Sequence, residues 1–128
     1  MRFLIDTHCW LWWFLSPERL SKHAIEFISN SKNDVVFSVV STWEIAIKVK
    51  LGKLKLPSLP KDYIPKRLTS QRMTILAIEN LHALRTADLP FHHNDPFDRL
   101  LIAQAQVEQL PILTTDPLFS RYEIEIIR

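Results

Sequence analysis

Four carboxylates widely separated along the chain, Asp6, Glu44, Asp98 and Asp116, fall where apolar runs end or where helices are expected to begin. An acid that closes a buried run, as Asp6 closes RFLID, is costly to strip of water unless a helix terminus or a cation offsets its charge. Brought to one rim, several acids raise one another's pKa, and a bound divalent cation relieves that repulsion. Oxygen ligands without a Cys/His set select Mg²⁺, with Mn²⁺ as the other option, over zinc. Such a centre suits phosphodiester hydrolysis: one cation lowers the pKa of an attacking water, and a second can stabilise the leaving oxygen. The chemistry implied is a cut in a nucleic-acid strand.

Each acid also has an ordinary structural use. The run from Ser41 to Glu44 matches a capping box, in which the serine accepts from one end amide and the glutamate reaches back to another. Asp95-Pro96 and Asp116-Pro117 each read as an N-cap followed by proline at the first helical position. Asp6 ends a strand and Asp98 lies a full turn inside its helix, so capping explains those two worst. Glu44 rests on the joint pattern against a good capping alternative, and a cap before Pro117 would account for Asp116.

Other polar residues carry weaker signals. Lys48, Lys50, Lys53 and Lys55 follow Glu44 and are placed to meet phosphates, although a solvated helix face explains any one of them. Arg99 is evenly balanced between clamping a phosphate and pairing with a carboxylate. For His92 and His93, in the loop before Asp95, substrate binding or proton transfer competes with plain solvation.

The elements that must position these residues follow from the apolar pattern. Residues 2–6 read as a buried strand and 7–15 as a very apolar helix that Ser16-Pro17 stops. Residues 17–30 read as one helix with Leu20, Ala24, Phe27 and Ile28 on its apolar face. The β-branched run 34–40 predicts a strand covered on both faces, after which Ser41 opens a helix that ends at Gly52. Residues 61–71 are expected to be helical, 73–77 a strand and 79–87 a short helix. A strong helix is expected over 96–109, with strands at 111–115 and 123–127. Strands alternating with helices predict an α/β fold with a parallel sheet and helices on both faces. Asp6 and Asp116 then project from strand ends to the rim where open α/β sheets bind ligands.

Composition narrows the alternatives. A length of 128 residues predicts a single domain, residues 1–128, with one substantial core. The only glycine, Gly52, rules out a Walker loop and a dinucleotide fingerprint, both of which need several glycines to admit phosphate. The lone Cys9 can form neither an internal disulfide nor a shared thiol site, which fits a reducing, cytoplasmic setting. No apolar stretch is long enough to span a bilayer, and a net charge of +2 imposes no global field for nucleic acid.

Four segments together resemble the PIN-domain family, in particular the stand-alone VapC-type toxins of bacterial toxin–antitoxin pairs. They are LIDTH at 4–8, STWEIAIKVKLGKLKLP at 41–57, HNDPFDRLLIAQA at 93–105 and LPILTTDPLF at 110–119. Each is weak alone; all four, in order and spread over nearly the whole chain, are more specific. The resemblance implies a three-layer α/β/α sandwich with a central parallel sheet. It also implies Mg²⁺-dependent endoribonuclease activity and an antitoxin that inserts a peptide into the active-site groove. Asp6, Glu44 and Asp98 match the family's metal-binding acids, Asp116 its more variable fourth acid, and Thr7, Ser41 and Thr115 its hydroxyl residues near the site. Between Asp95 and Asp98, the spacing to Ile102-Ala103-Gln104-Ala105 selects Asp98. Trp10, Trp12 and Trp13 lie on successive faces of one helix, so at least one is expected at an interface, with an antitoxin helix or in a homodimer. The competing readings are a non-catalytic RNA-binding or scaffold protein of the same fold and a nuclease acting on DNA. A receiver-type phospho-acceptor domain is disfavoured, because Thr7-His8 stands where it would want a second acid.

Overall fold

A computed structural model describes all 128 residues. Its strands are β1 (Arg2–Ile5), β2 (Asp34–Ser38), β3 (Thr74–Leu76), β4 (Ile112–Leu113) and β5 (Ile126–Ile127). Its helices are α1 (Thr7–Leu15), α2 (Lys22–Ser29), α3 (Val39–Lys50), α4 (Pro60–Ser70), α5 (Asn80–Arg85) and α6 (Pro96–Glu108). The five strands form one wholly parallel sheet in the order β3-β2-β1-β4-β5.

Successive strand residues point to opposite faces of a sheet, and here both faces are covered. Phe3, Ile5, Val35, Phe37 and Leu113 pack with residues of α1, α2 and α4. Leu4, Val36 and Ile112 pack on the other face with residues of α6. This double coverage explains why the strands read as continuous apolar runs, and it gives the expected α/β sandwich. Helix α3 belongs to both sides, with Val40 in one core and Ile45 in the other. It therefore lies across the rim of the sheet, where the acids are.

Several boundaries differ from expectation: the last two strands are only Ile112–Leu113 and Ile126–Ile127, α5 gives way to a 3₁₀ turn at Thr86–Asp88, and two further changes lie nearer the N-terminus. The segment 17–30 is not one helix: Pro17–Arg19 is a 3₁₀ turn, and Ser21 restarts the chain by accepting the Ala24 N–H at 3.0 Å. Strand β2 stops at Ser38, whose hydroxyl accepts the Val40 N–H at 3.0 Å and caps α3. Helix α3 thus begins two residues before the expected Ser41, so Ser41 is no N-cap and the capping box with Glu44 does not form. Burial of Val40 outweighs the β preference of the Val39-Val40 pair.

At its other end α3 closes as the lone glycine suggested. Gly52 adopts φ +73, its N–H donates to the Val49 carbonyl at 3.1 Å, and Lys53 N–H donates to the Lys48 carbonyl at 2.9 Å. That bond pair is a Schellman motif. Of the three α1 tryptophans, Trp10 is fully buried and donates Nε1–H to Met73 Sδ at 3.3 Å, whereas Trp12 and Trp13 pack on the core while remaining half-buried.

Candidate metal centre

The strand order reverses beside β1: the chain builds outward through β2 and β3, then returns to the opposite side with β4 and β5. A crevice at the carboxyl ends of β1 and β4 is the expected ligand site of such a sheet. Asp6 leaves β1 there, locked by its N–H to the Leu113 carbonyl at 3.0 Å. The register pairs Leu4 with Ile112 and Ile5 with Leu113, so the next step sets Asp6 beside Thr114. Thr114 is buried and donates its hydroxyl to Asp6 Oδ2 at 2.9 Å. The family resemblance points to the neighbouring hydroxyl, Thr115, which is solvent-exposed. Strand parity decides between two adjacent threonines, and it requires knowing the register.

Asp6 occupies the N-cap position of α1, yet its side chain makes no capping bond. Its Oδ1 is buried with no hydrogen-bond partner. Glu44 lies in the second turn of α3 and is 1% exposed; Lys48 pairs with its Oε2, and its Oε1 is also buried without a partner. Leaving a buried carboxylate oxygen unpaired is costly, and two such atoms at one strand edge suit a cation. Asp98 follows in α6, with His93 Nε2 at 3.3 Å from its Oδ2.

The charges of these acids bear on one another. Burial pushes the Asp6 carboxyl up to about 6, resisted by the Thr114 hydrogen bond and nearby His8 and reinforced by Glu44 and Asp116. Asp98 is pushed up to about 8, first by burial and then by Asp95, Asp6, Glu44 and Asp116. All four predicted acids are therefore brought into one electrostatic neighbourhood. Its cost is highest when they ionise together, and hard oxygen donors of this kind match Mg²⁺ or Mn²⁺. The donor types suit such an ion, although the potential ligand atoms of these acids are not gathered within 4.8 Å of one another as those of Glu79, His82 and Glu108 are.

The surrounding residues divide into supports and corrections. Thr7 and Ser41 hydroxyls meet at 2.7 Å in the interior, joining α1 to α3 behind the acids. Asp95 is the α6 cap, its Oδ1 accepting the N–H groups of Phe97 at 2.9 Å and Asp98 at 3.1 Å. Asp116 caps the 3₁₀ turn Pro117–Arg121 through Leu118 N–H at 2.9 Å, so it serves as a cap while adding charge to the cluster. His93 bridges Asp98 to the Tyr122 hydroxyl, 2.8 Å from its Nδ1.

Arg99 pairs with no carboxylate, which removes one of its two expected roles. Its buried guanidinium donates to the carbonyls of Thr86, Leu89 and Pro90 at 2.8–3.2 Å. It is a staple for the loop that leads into Asp95.

A second group, Glu79, His82 and Glu108, has potential ligand atoms within 4.8 Å of one another. Sequence reasoning did not single it out. His82 Nδ1 accepts the Glu79 N–H at 3.0 Å, which places the ring proton on Nε2, where it reaches Glu108 Oε2 at 2.8 Å. With one nitrogen accepting and the other protonated, the neutral ring has no lone pair left for a metal. This group caps α5 and ties it to α6.

The family profile described as PIN domain matches residues 3–125. The chain belongs to the PIN-domain family. A curated relative, ribonuclease VapC16 of Mycobacterium tuberculosis, is 33% identical over 55 residues, which is 43% of this chain and only 39% of that protein. Two solved structures superpose over 99% of the chain. VapBC2 of Rickettsia felis, bound to a promoter DNA fragment, gives a TM-score of 0.74 at 14% identity and 98% coverage of the neighbour. DNA-bound VapBC of Salmonella typhimurium gives 0.71 at 16% identity and 97% coverage. At those identities the likeness is one of fold, and it agrees with the parallel PIN sheet described above. No helix of this PIN domain is long and apolar enough to cross a membrane.

Proposed function

We propose that the chain, acting as one PIN nuclease unit over residues 1–128, is a Mg²⁺-dependent endoribonuclease of the VapC type, the toxin of a toxin–antitoxin pair. The observation that carries this reading is the pair of buried, partnerless oxygens, Asp6 Oδ1 and Glu44 Oε1, at the sheet's switch point. Asp6, Glu44 and Asp98 would hold Mg²⁺ or Mn²⁺, with Asp116 at the edge of the set. A cation bound there would supply the charge that activates water and stabilises the departing oxygen in phosphodiester hydrolysis.

The protein's own groups do the positioning. Thr114 fixes the rotamer of Asp6, and His93, held by Tyr122, orients Asp98. Lys48 balances Glu44 until a cation arrives. The presence of all four acids disfavours a non-catalytic scaffold of the same fold.

Its likeness to a VapC ribonuclease and to VapBC assemblies supports ribonuclease chemistry and an antitoxin partner for this chain, roles that suit a cytoplasmic location. An open apolar cleft lined by Val39, Ala46, Pro60, Ile64 and Ile75 supports a protein partner, either the antitoxin or a second copy in a homodimer. Light scattering with and without the antitoxin separates the two.

The test of activity compares wild type, Asp6→Asn and Asp98→Asn for cleavage of mixed RNA and DNA pools in Mg²⁺ and in chelator. Metal-dependent RNA cleavage by wild type alone is expected. Equal cleavage by all three proteins would sink the site assignment, and cleavage confined to DNA would move the activity to that substrate.

A further inference from the structure

Trp43 stands immediately before Glu44 in α3, and Phe97 immediately before Asp98 in α6. Their rings pack edge-to-face, centroids 5.0 Å apart and planes at 76°. Trp43 is 51% exposed and belongs to neither apolar core. Its packing on Phe97 leaves about half of the indole in water, and an exposed helix position carries no preference for an indole. What its position does provide is a rigid aromatic surface at the lip of the carboxylate cluster, braced by a second ring.

The opposite flank of α3 is basic. A cleft between α1 and α3 is lined by Thr7, His8, Lys48 and Lys53, completed by Leu11, Ile45 and Leu54; Lys48 pairs with the buried Glu44, which leaves Lys53 as the unpaired lysine of the cleft. The acids are thus bordered by cations on the α1 side and by the aromatic pair on the α6 side. An unpaired nucleic-acid strand has this same division, with anionic phosphates along one edge and π-faces along the other. Stacking of bases on aromatic side chains is a general way of holding such strands.

We propose that Trp43, braced by Phe97, is the stacking surface for the nucleobase next to the scissile phosphate. The inference rests on the nuclease reading above and adds to it a binding residue outside the acid set. Stacking would hold the base on the α6 side while the basic cleft takes the neighbouring phosphate, so that the bond to be cut is presented to Asp6, Glu44 and Asp98.

The test measures binding and needs no turnover. In an Asp98→Asn background that prevents cleavage, a fluorescein-labelled RNA oligonucleotide spanning the cut mapped with wild type is titrated, intact and with the base beside the cut removed. Trp43→Ala is expected to weaken the intact oligonucleotide about tenfold and the abasic one hardly at all, with Trp43→Phe retaining most of the affinity. Quenching of indole emission by the intact oligonucleotide should also vanish in Trp43→Phe. Equal losses on both oligonucleotides, or no loss on either, would overturn the proposal while leaving the nuclease reading intact. So would a Trp43→Ala protein that binds RNA normally but changes its oligomeric mass in light scattering, because the indole would then belong to a protein contact. If wild type cuts no RNA and the background protein binds none, the nuclease reading itself fails and the stacking assignment falls with it.

Discussion

Thr114 donates its hydroxyl to Asp6 Oδ2 at 2.9 Å across a sequence separation of 108 residues. The bond joins the ends of β1 and β4 and leaves Asp6 Oδ1 buried without a partner. Removing a partner that orients a metal ligand typically costs about 10–100-fold in metal affinity or activity. Thr114→Val should therefore raise the Mg²⁺ concentration needed for half-maximal cleavage by about that factor, with Thr114→Ser close to wild type. An unchanged Mg²⁺ requirement in Thr114→Val would show that Asp6 needs no such support.

The raised carboxyls make metal-free stability depend on pH in a definite direction. Asp6 and Asp98 hold protons more tightly in the folded protein, up to about 6 and about 8, than their ordinary value of 3.8. The folded state is therefore favoured most when both are protonated. That advantage is lost as pH rises from about 4 through 6 for Asp6 and through 8 for Asp98. Mg²⁺ binds the ionised form, so the gap in Tm between Mg²⁺ and chelator should widen over the same interval. Asp98→Asn should flatten its upper part; a gap that stays constant from about pH 5 to about pH 8.5 contradicts the linkage.

Lys48 is the one group that compensates Glu44 in the protein without metal. Lys48→Met strands a buried carboxylate, at a cost of about 1–2 kcal/mol given the partial exposure of the lysine. Chemical denaturation in chelator should register this loss, and Mg²⁺ should restore most of it. Were Lys48 only a phosphate contact, stability in chelator would be the same as wild type.

Arg99 is predicted to matter for folding and not for substrate. Its guanidinium satisfies three carbonyls of the loop before α6, and Arg99→Met leaves them short of donors at a cost of about 2–4 kcal/mol. The variant should melt earlier yet bind RNA with the wild-type salt dependence at low temperature. A reduced salt slope would instead identify a phosphate contact.

Much of the site was legible in order along the chain. The apolar run ending in Asp6, the Pro96 helix carrying Asp98 and the glycine closing α3 each follow from local rules that survive folding. The start of α3 did not, because a β-branched run can be strand or helix. Here the Ser38 cap and burial of Val40 choose helix, removing the capping role assigned to Glu44.

By itself, the sequence determined the residue types: hard oxygen donors, a single cysteine and a single glycine, strands apolar on both faces, and acids at their ends. Only the tertiary structure decided which neighbours those acids have. Thr114 in place of Thr115, Arg99 turned onto carbonyls and Trp43 set against Phe97 all depend on strand register and on the crossing of α3 over the rim. Those are relations between segments distant in the chain, set by which packing buries both cores at once, and no local pattern encodes them.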